Sequence, residues 1–256
     1  MAELNDLINN HIPPWLKKFI KGAGRGINEF NMIKNGDRIL LGVSGGKDSL
    51  SMAIALSLRK RWLPITYELS AIQIEWKELP LSTEERDSLF AFFSNLDIPF
   101  KIINAEMRPE SFKGKFNCYL CSRNRKRILF TEAEKAGIDK IALGHHLDDL
   151  IETTLINLFF RGNFSTMMPV QSFFKGKLRI IRPLCRVKEQ SITGLARKIN
   201  LPVISTDCGK KESNIREQIK PIIKSLLRID KHLHNHIFNA HYNIKENYLL
   251  SWLNQK

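Results

Sequence analysis

Two clusters of residues carry chemistry that the rest of this chain must serve. The first is Ser44-Gly45-Gly46-Lys47-Asp48-Ser49. Glycines let a backbone approach a ligand closely, serine hydroxyls donate hydrogen bonds, and Lys47 adds positive charge, so the run suits a phosphate. The apolar run 38–43 before it reads as a buried strand and 50–56 after it as a helix, which aims a helix N-terminus at the same anion. The run is neither the G-x-x-x-x-G-K-S/T loop nor the G-x-G-x-x-G turn of other nucleotide sites. The second cluster is made of thiols. Cys118 and Cys121 stand three residues apart at the start of a predicted helix, with Cys185 and Cys208 further on. A helix N-terminus and the basic residues that follow favour thiolates, which are the metal-binding form. The spacing alone admits a four-cysteine structural zinc site, a redox pair, or part of an iron–sulfur cluster. If three cysteines hold such a cluster, one iron stays open to an outside ligand.

A third, weaker signal is Gly144-His145-His146-Leu147-Asp148-Asp149, directly after an apolar run at 140–143. The carboxyl end of a strand is where α/β proteins gather ligands, so Gly144 and His145 are candidate nucleotide contacts. Adjacent histidines do not easily face one metal. Asp149, or Asp148 beside it, is the candidate for holding magnesium on phosphates or assisting proton transfer, with a helix-capping carboxylate as the simple alternative. The late histidines 232, 234, 236 and 241 match no metal spacing and read as surface or capping residues.

These residues need a frame. Apolar runs at 65–74, 99–103, 140–144 and 177–184 alternate with helical patterns at 83–96, 118–136, 151–160 and 187–199. That alternation predicts a parallel α/β sheet, with the stretch from 161 through 169 as loop. Residues 1–30 read as a basic helical segment, 31–209 as the nucleotide- and metal-binding domain, and 210–256 as a second basic helical segment. The chain of 256 residues has 40 Lys and Arg against 26 acids, a net charge of +14. Such an excess points to a polyanionic partner, nucleic acid before membrane. Lys17, Lys21, Arg123, Arg125, Lys210, Lys211 and Arg216 are the candidate RNA contacts. The first residues lack the basic-then-apolar pattern of a secretory signal, and no apolar run reaches the ~20 residues that span a bilayer, so a cytoplasmic protein without membrane contact is expected. Four cysteines in such a chain favour metal or redox chemistry over a disulfide scaffold.

The loop residues match the S-G-G-x-D-S signature of the PP-loop ATP pyrophosphatase superfamily, and the whole set goes further. Residues 44–49, Cys118-Tyr-Leu-Cys121, the run from Ala142 to Asp149, Ile181-Arg-Pro-Leu184 and Asp207-Cys208-Gly209 occur in that order. Together they resemble the tRNA 2-thiocytidine biosynthesis family, over about residues 19–218. The resemblance implies a parallel-sheet PP-loop domain, adenine nucleotide alpha hydrolase-like, with flanking basic helical segments. It implies ATP and Mg²⁺ at residues 44–49, with Asp48 and Asp149 in the catalytic set. It further implies a 4Fe–4S cluster on Cys118, Cys121 and Cys208, which are then both metal ligands and catalytic residues. The implied reaction adenylates the C2 oxygen of a cytidine, at position 32 of the anticodon loop, and replaces it with sulfur. A cysteine desulfurase is the implied sulfur source and a homodimer the implied assembly. Many family members carry a further cysteine where this chain has Ser205, and Cys185 falls outside the three implied ligands.

Three rivals remain at this stage. A tRNA lysidine synthetase also activates cytidine C2 with ATP but needs no cysteines. A non-catalytic RNA-binding protein with a four-cysteine zinc site would make Cys185 as necessary as the other three. A desulfidase would use a three-cysteine cluster without an ATP loop.

Overall fold

Parallel strands can be joined only by a crossover, so short apolar runs separated by helices dictate a sheet covered on both faces. The computed structural model describes residues 12–108, 117–204, 215–245 and 248. Its strands are β1 Asp37–Val43, β2 Tyr67–Trp76, β3 Phe100–Ala105, β4 Lys140–Leu143, β5 Val170–Phe173 and β6 Leu178–Ile181. They form one six-stranded sheet in the order β3-β2-β1-β4-β6-β5. All neighbours are parallel except β5, which runs antiparallel to β6 at the edge.

The helices are α1 Pro14–Glu29, α2 Lys47–Arg59, α3 Thr83–Asn95, α4 Cys118–Lys135, α5 Leu147–Arg161, α6 Glu189–Lys198, α7 Ile215–Ile229 and α8 Leu233–Ala240. The described residues fall into two compact units, one within Met1–His146 and Met168–Lys210, the other within Leu147–Met167 and Lys211–Lys256. The first contains the whole sheet, α1 to α4 and α6. On one sheet face Leu40, Ile72, Ile74, Trp76 and Ile141 pack with Leu129 and Ala133 of α4. Helix α2 is apolar almost all round, with residues 52 to 56 fully buried, as a helix enclosed by protein must be.

Strand β1 sits centrally, with Val43 opposite Gln73 of β2 and Gly42 opposite Leu143 of β4. From β1 the chain runs to one side through β2 and β3, then returns to the other side through β4. That reversal opens a crevice at the carboxyl ends of β1 and β4, where open α/β sheets take ligands. At the opposite end of the same two strands, Lys140, 1% exposed, is ion-paired with Asp37. This pins the β1–β4 register with a charge pair that costs several kcal/mol if one partner is removed.

The predicted boundaries of α3 hold to the residue at its start because Ser82 and Glu85 form a reciprocal capping box. Several bounds differ from expectation: α5 begins at Leu147, four residues before the expected start, so Asp148 and Asp149 lie in its first turn. Strand β5 lies just beyond the stretch read as loop, and the predicted strand 177–184 is only Leu178–Ile181. Val-Gln-Ser-Phe is too short and too polar to register as a strand alone; it is made by pairing with β6, Val170 to Ile181 and Phe173 to Leu178.

In the second unit, α5 packs with α7 and α8. Helix α7 carries its apolar residues on one face, burying Ile219 and Ile223. His234, expected at the surface, is 5% exposed, and its Nε2 lies 3.0 Å from Asp148 Oδ1. Phe164 stacks on His241 at 4.4 Å, and burial lowers the His241 pKa, which favours the neutral ring.

Candidate active site

The loop of residues 44–49 is braced from within. Ser44 N donates to Ser49 Oγ at 3.2 Å, Gly46 N donates to Ser44 Oγ at 3.3 Å, and Ser49 Oγ donates to Gly46 O at 3.0 Å. Gly45 adopts φ +77°, a left-handed conformation that side chains resist, and its carbonyl accepts from Ile204 N at 2.9 Å. Helix α2 then starts with Gly46 as its N-cap and no side-chain cap. The positive end of the α2 dipole therefore has no side-chain acceptor from its cap residue, which is what an incoming phosphate requires.

Lys47 is held ready at the same place. Its Nζ lies 3.1 Å from Glu189 Oε1, in the first turn of α6, and 3.2 Å from Asp48 Oδ1. Burial pulls the Lys47 pKa down, but Asp48 and Glu189 outweigh it and the net shift is upward, so the ammonium stays charged. Asp48 also faces His146, whose Nε2 is 3.8 Å away and whose side chain is 5% exposed.

Gly144 shows why β4 matters to this site. A Cβ built there would sit 2.8 Å from Ser49 N and 2.9 Å from the Asp48 carbonyl carbon. Both are backbone atoms that cannot swing aside, so the tip of β4 presses against the first turn of α2 only because residue 144 has no side chain. These features fit a nucleotide polyphosphate: an uncapped helix start, a left-handed glycine, a retained cation and a close backbone approach.

The thiols divide sharply. Cys118 is the first residue of α4 and is exposed, and Cys121, one turn on, is half-buried against the core. The start of α4 is fixed by Asn117, whose side chain accepts from Leu120 N at 3.0 Å and whose carbonyl accepts from Cys121 N at 3.0 Å. Two thiols on successive turns of a helix N-terminus fit a thiolate-bound metal centre. Cys185 does not. It is fully buried, a Cβ on Gly26 would lie 2.7 Å from its Sγ, and burial pushes its thiol up to about 12. Cys208, with Lys210 and Lys211, lies outside the described residues. Among the described residues no three His, Cys, Asp or Glu side chains form a metal-holding group.

The remaining sequence candidates are dispersed. Lys17 and Lys21 lie on α1 and line a groove against α6. Arg123, exposed on α4, lines a second groove of about 710 Å³ with Lys126, Phe130 and Phe174. Arg125 stacks over the ring of Trp76 at 5.4 Å, which ties its guanidinium to the fold. In the second unit, Asp149 faces Arg216 at 3.6 Å, and Arg216 also faces Glu152 at 3.9 Å. Sequence reasoning missed Glu189: an acid in the first turn of a helix is ordinary, and nothing local marks it as the partner of a lysine 142 positions earlier.

A mostly parallel sheet whose central strand feeds an uncapped helix through Ser-Gly-Gly-Lys defines a PP-loop protein. The sequence pattern of the PP-loop domain family matches residues 17–225. The chain belongs to that family and, within it, groups with the tRNA-cytidine(32) 2-sulfurtransferases. The relative from Methylobacillus flagellatus is 34% identical over 235 residues, covering 90% of this chain and 77% of its own length. The relative from Geobacter metallireducens is 33% identical over 242 residues, covering 91% of this chain and 92% of its own length. Among solved structures, the fold is similar to the U34-tRNA thiolase NcsA from Methanococcus maripaludis, which contains a 4Fe–4S cluster. That likeness has a TM-score of 0.70 at 22% identity and covers 89% of this chain and 78% of the other. Among the described residues, no helix is long and apolar enough to cross a membrane.

Proposed function

We propose that this chain is an ATP-dependent tRNA sulfurtransferase that converts a cytidine, at position 32 of the anticodon loop, to 2-thiocytidine. One observation carries the reading. A phosphate cradle and a pair of thiols, one exposed and one half-buried, occur on the same PP-loop unit, while the remaining described thiol is sealed in the core. In the reaction, the cytidine C2 oxygen attacks the α-phosphorus of ATP and pyrophosphate leaves. Sulfide then attacks C2, and AMP departs carrying the former oxygen.

The backbone N–H groups of residues 47–49, in the first turn of α2, hold the polyphosphate, and Lys47 neutralises charge as pyrophosphate separates. Asp48, beside Lys47, is the proposed carboxylate for Mg²⁺. Cys118, Cys121 and Cys208 would hold a 4Fe–4S cluster, which when bound supplies an iron without a protein ligand where sulfide can be presented. Cys185, protonated and enclosed, suits no fourth thiolate, which favours this reading over a four-cysteine zinc site. A cysteine desulfurase is the proposed sulfur source, and a cytoplasmic homodimer the proposed working form.

The test is anaerobic purification with iron, sulfide and zinc counted, alongside Cys118→Ala, Cys185→Ala and Cys208→Ala variants. Thiolation of a tRNA transcript is followed by nucleoside mass spectrometry together with AMP release. Iron and sulfide in cluster proportion, lost with Cys118 and Cys208 but kept without Cys185, is the expected result. Zinc in place of iron, with all three variants defective, would overturn it.

A further inference from the structure

The groove between α1 and α6 has an unusual charge balance. Lys17, Lys18, Lys21 and Arg25 line it from α1, and Lys188 and Lys198 from the α6 side, with no Asp or Glu among its lining residues. This is not for lack of acids nearby. The acid of α1, Glu29, is turned to Arg186, and the acid of α6, Glu189, is turned to Lys47. Glu29 thus balances Arg186, itself a lining residue at the groove, while Glu189 is engaged by Lys47, and Lys17, Lys18, Lys21, Arg25, Lys188 and Lys198 stay together. The groove encloses about 770 Å³, and Gly194 leaves open space on its floor where a side chain would stand. Lys198 Nζ lies 4.7 Å from the centre of the Trp15 ring, which adds an aromatic face at one end. At the other end, Lys188 immediately precedes Glu189, which is bonded to Lys47 of the phosphate loop.

We infer that this α1–α6 groove grips the sugar–phosphate backbone of the RNA substrate and leads it to the ATP loop. The inference rests on the tRNA reading above and adds where the backbone lies. Like charges gathered at this density repel one another, and a polyanion relieves that repulsion while releasing its own counterions. A concave track with an aromatic at its end suits a nucleic-acid strand, since bases and guanidinium or ammonium groups share π-faces. An anionic membrane would instead call for protruding apolar side chains beside the cations, and here the apolar residues Phe19, Val187 and Leu195 are buried.

The experiment measures binding of an unmodified tRNA transcript to the anaerobically prepared full chain as a function of salt. It compares wild type, a Lys17→Ala, Lys21→Ala, Lys188→Ala, Lys198→Ala variant, and a control of equal charge change at Lys60, Lys77, Lys135 and Lys224. A backbone contact predicts that the groove variant loses about 2 to 4 units from the slope of log affinity against log salt, while the control loses less than about 1. Thiolation at low tRNA should fall about 30-fold or more through the KM for tRNA, with the KM for ATP unchanged; melting temperatures show that both variants fold. If the groove variant matches the control in slope and KM while the wild type still thiolates tRNA, the groove assignment falls and the sulfurtransferase reading stands. If the wild type neither binds nor thiolates tRNA, both fall. If anionic vesicles titrate the groove as strongly as tRNA does, the membrane reading replaces the RNA one.

Discussion

At the phosphate loop, both serines, Lys47 and the tip of β4 are tied to one another before any ligand arrives. At the start of α4, Asn117 fixes the backbone, while Cys118 stands exposed at the first helical position. The first region is a preformed cast, in which a ligand finds its donors already placed. The second presents donors on a fixed helix end and depends on a third residue from a distant part of the sequence. A polyphosphate needs geometry more than covalent bonds, and an N-terminal helix turn supplies that locally. A metal cluster is itself a rigid body and needs only thiolates offered to it. Damage to the loop should therefore harm both stability and turnover, and damage to the thiols turnover alone.

The largest effect is expected from Cys118→Ser. Iron content and tRNA thiolation should fall to background, yet urea unfolding of the metal-free protein should shift by no more than about 0.5 kcal/mol, as for an exposed residue. A substantial loss of stability would break the contrast. Next comes Gly144→Ala. The new methyl group must displace the backbone of Asp48 and Ser49, so we expect about 100-fold slower ATP-dependent thiolation and a cost of about 1–3 kcal/mol. Retained turnover with full stability would show that the loop is less preformed than its contacts imply.

Cys185→Ala should leave iron and thiolation within about twofold while costing about 1–2 kcal/mol for the space opened beside Gly26. The same thiol gives a pH signature. Its folded pKa of about 12 lies above its ordinary value of 9.0, so the unfolded chain loses this proton first as pH rises. Stability should therefore decline from about pH 9 toward 12, and the Cys185→Ala variant should lack that share of the decline. Alkylation at pH 8 should label Cys118 and spare Cys185 until the protein unfolds. Smallest of all, Glu189→Gln should change the KM for ATP by only a few-fold, because the groups it holds in place remain.

Much of this was legible because its causes are local. A strand, a glycine turn and a helix follow one another within about twenty residues, and each declares itself through apolar spacing or residue type. The boundaries of α3 were equally plain, since Ser82 and Glu85 cap it together. What stayed hidden depends on partners far along the chain. Strand β5 exists through β6, Glu189 matters through Lys47, and Cys185 is sealed by the missing side chain of Gly26. His234 reads as a surface residue until α8 meets α5, where it finds Asp148. Spacing showed that Cys118 and Cys121 could share a metal. It did not show that burial sets Cys185 apart from them.

The strand order has a consequence for synthesis. Strands β3, β2 and β1 are neighbours in space and consecutive in sequence, so they can pair as soon as residue 105 has left the ribosome. The far edge of β1, from Ile39 to Gly42, waits for Lys140 to Leu143, about a hundred residues later. Until then it offers an open apolar ladder at what becomes the middle of the sheet, the kind of edge that recruits other chains. A transcript truncated before β4 should give inclusion bodies and no ATP binding, because the strand that closes this edge also brings Gly144 against the loop. The strand that covers the open side of β1 is thus also the one that brings Gly144 against the phosphate loop.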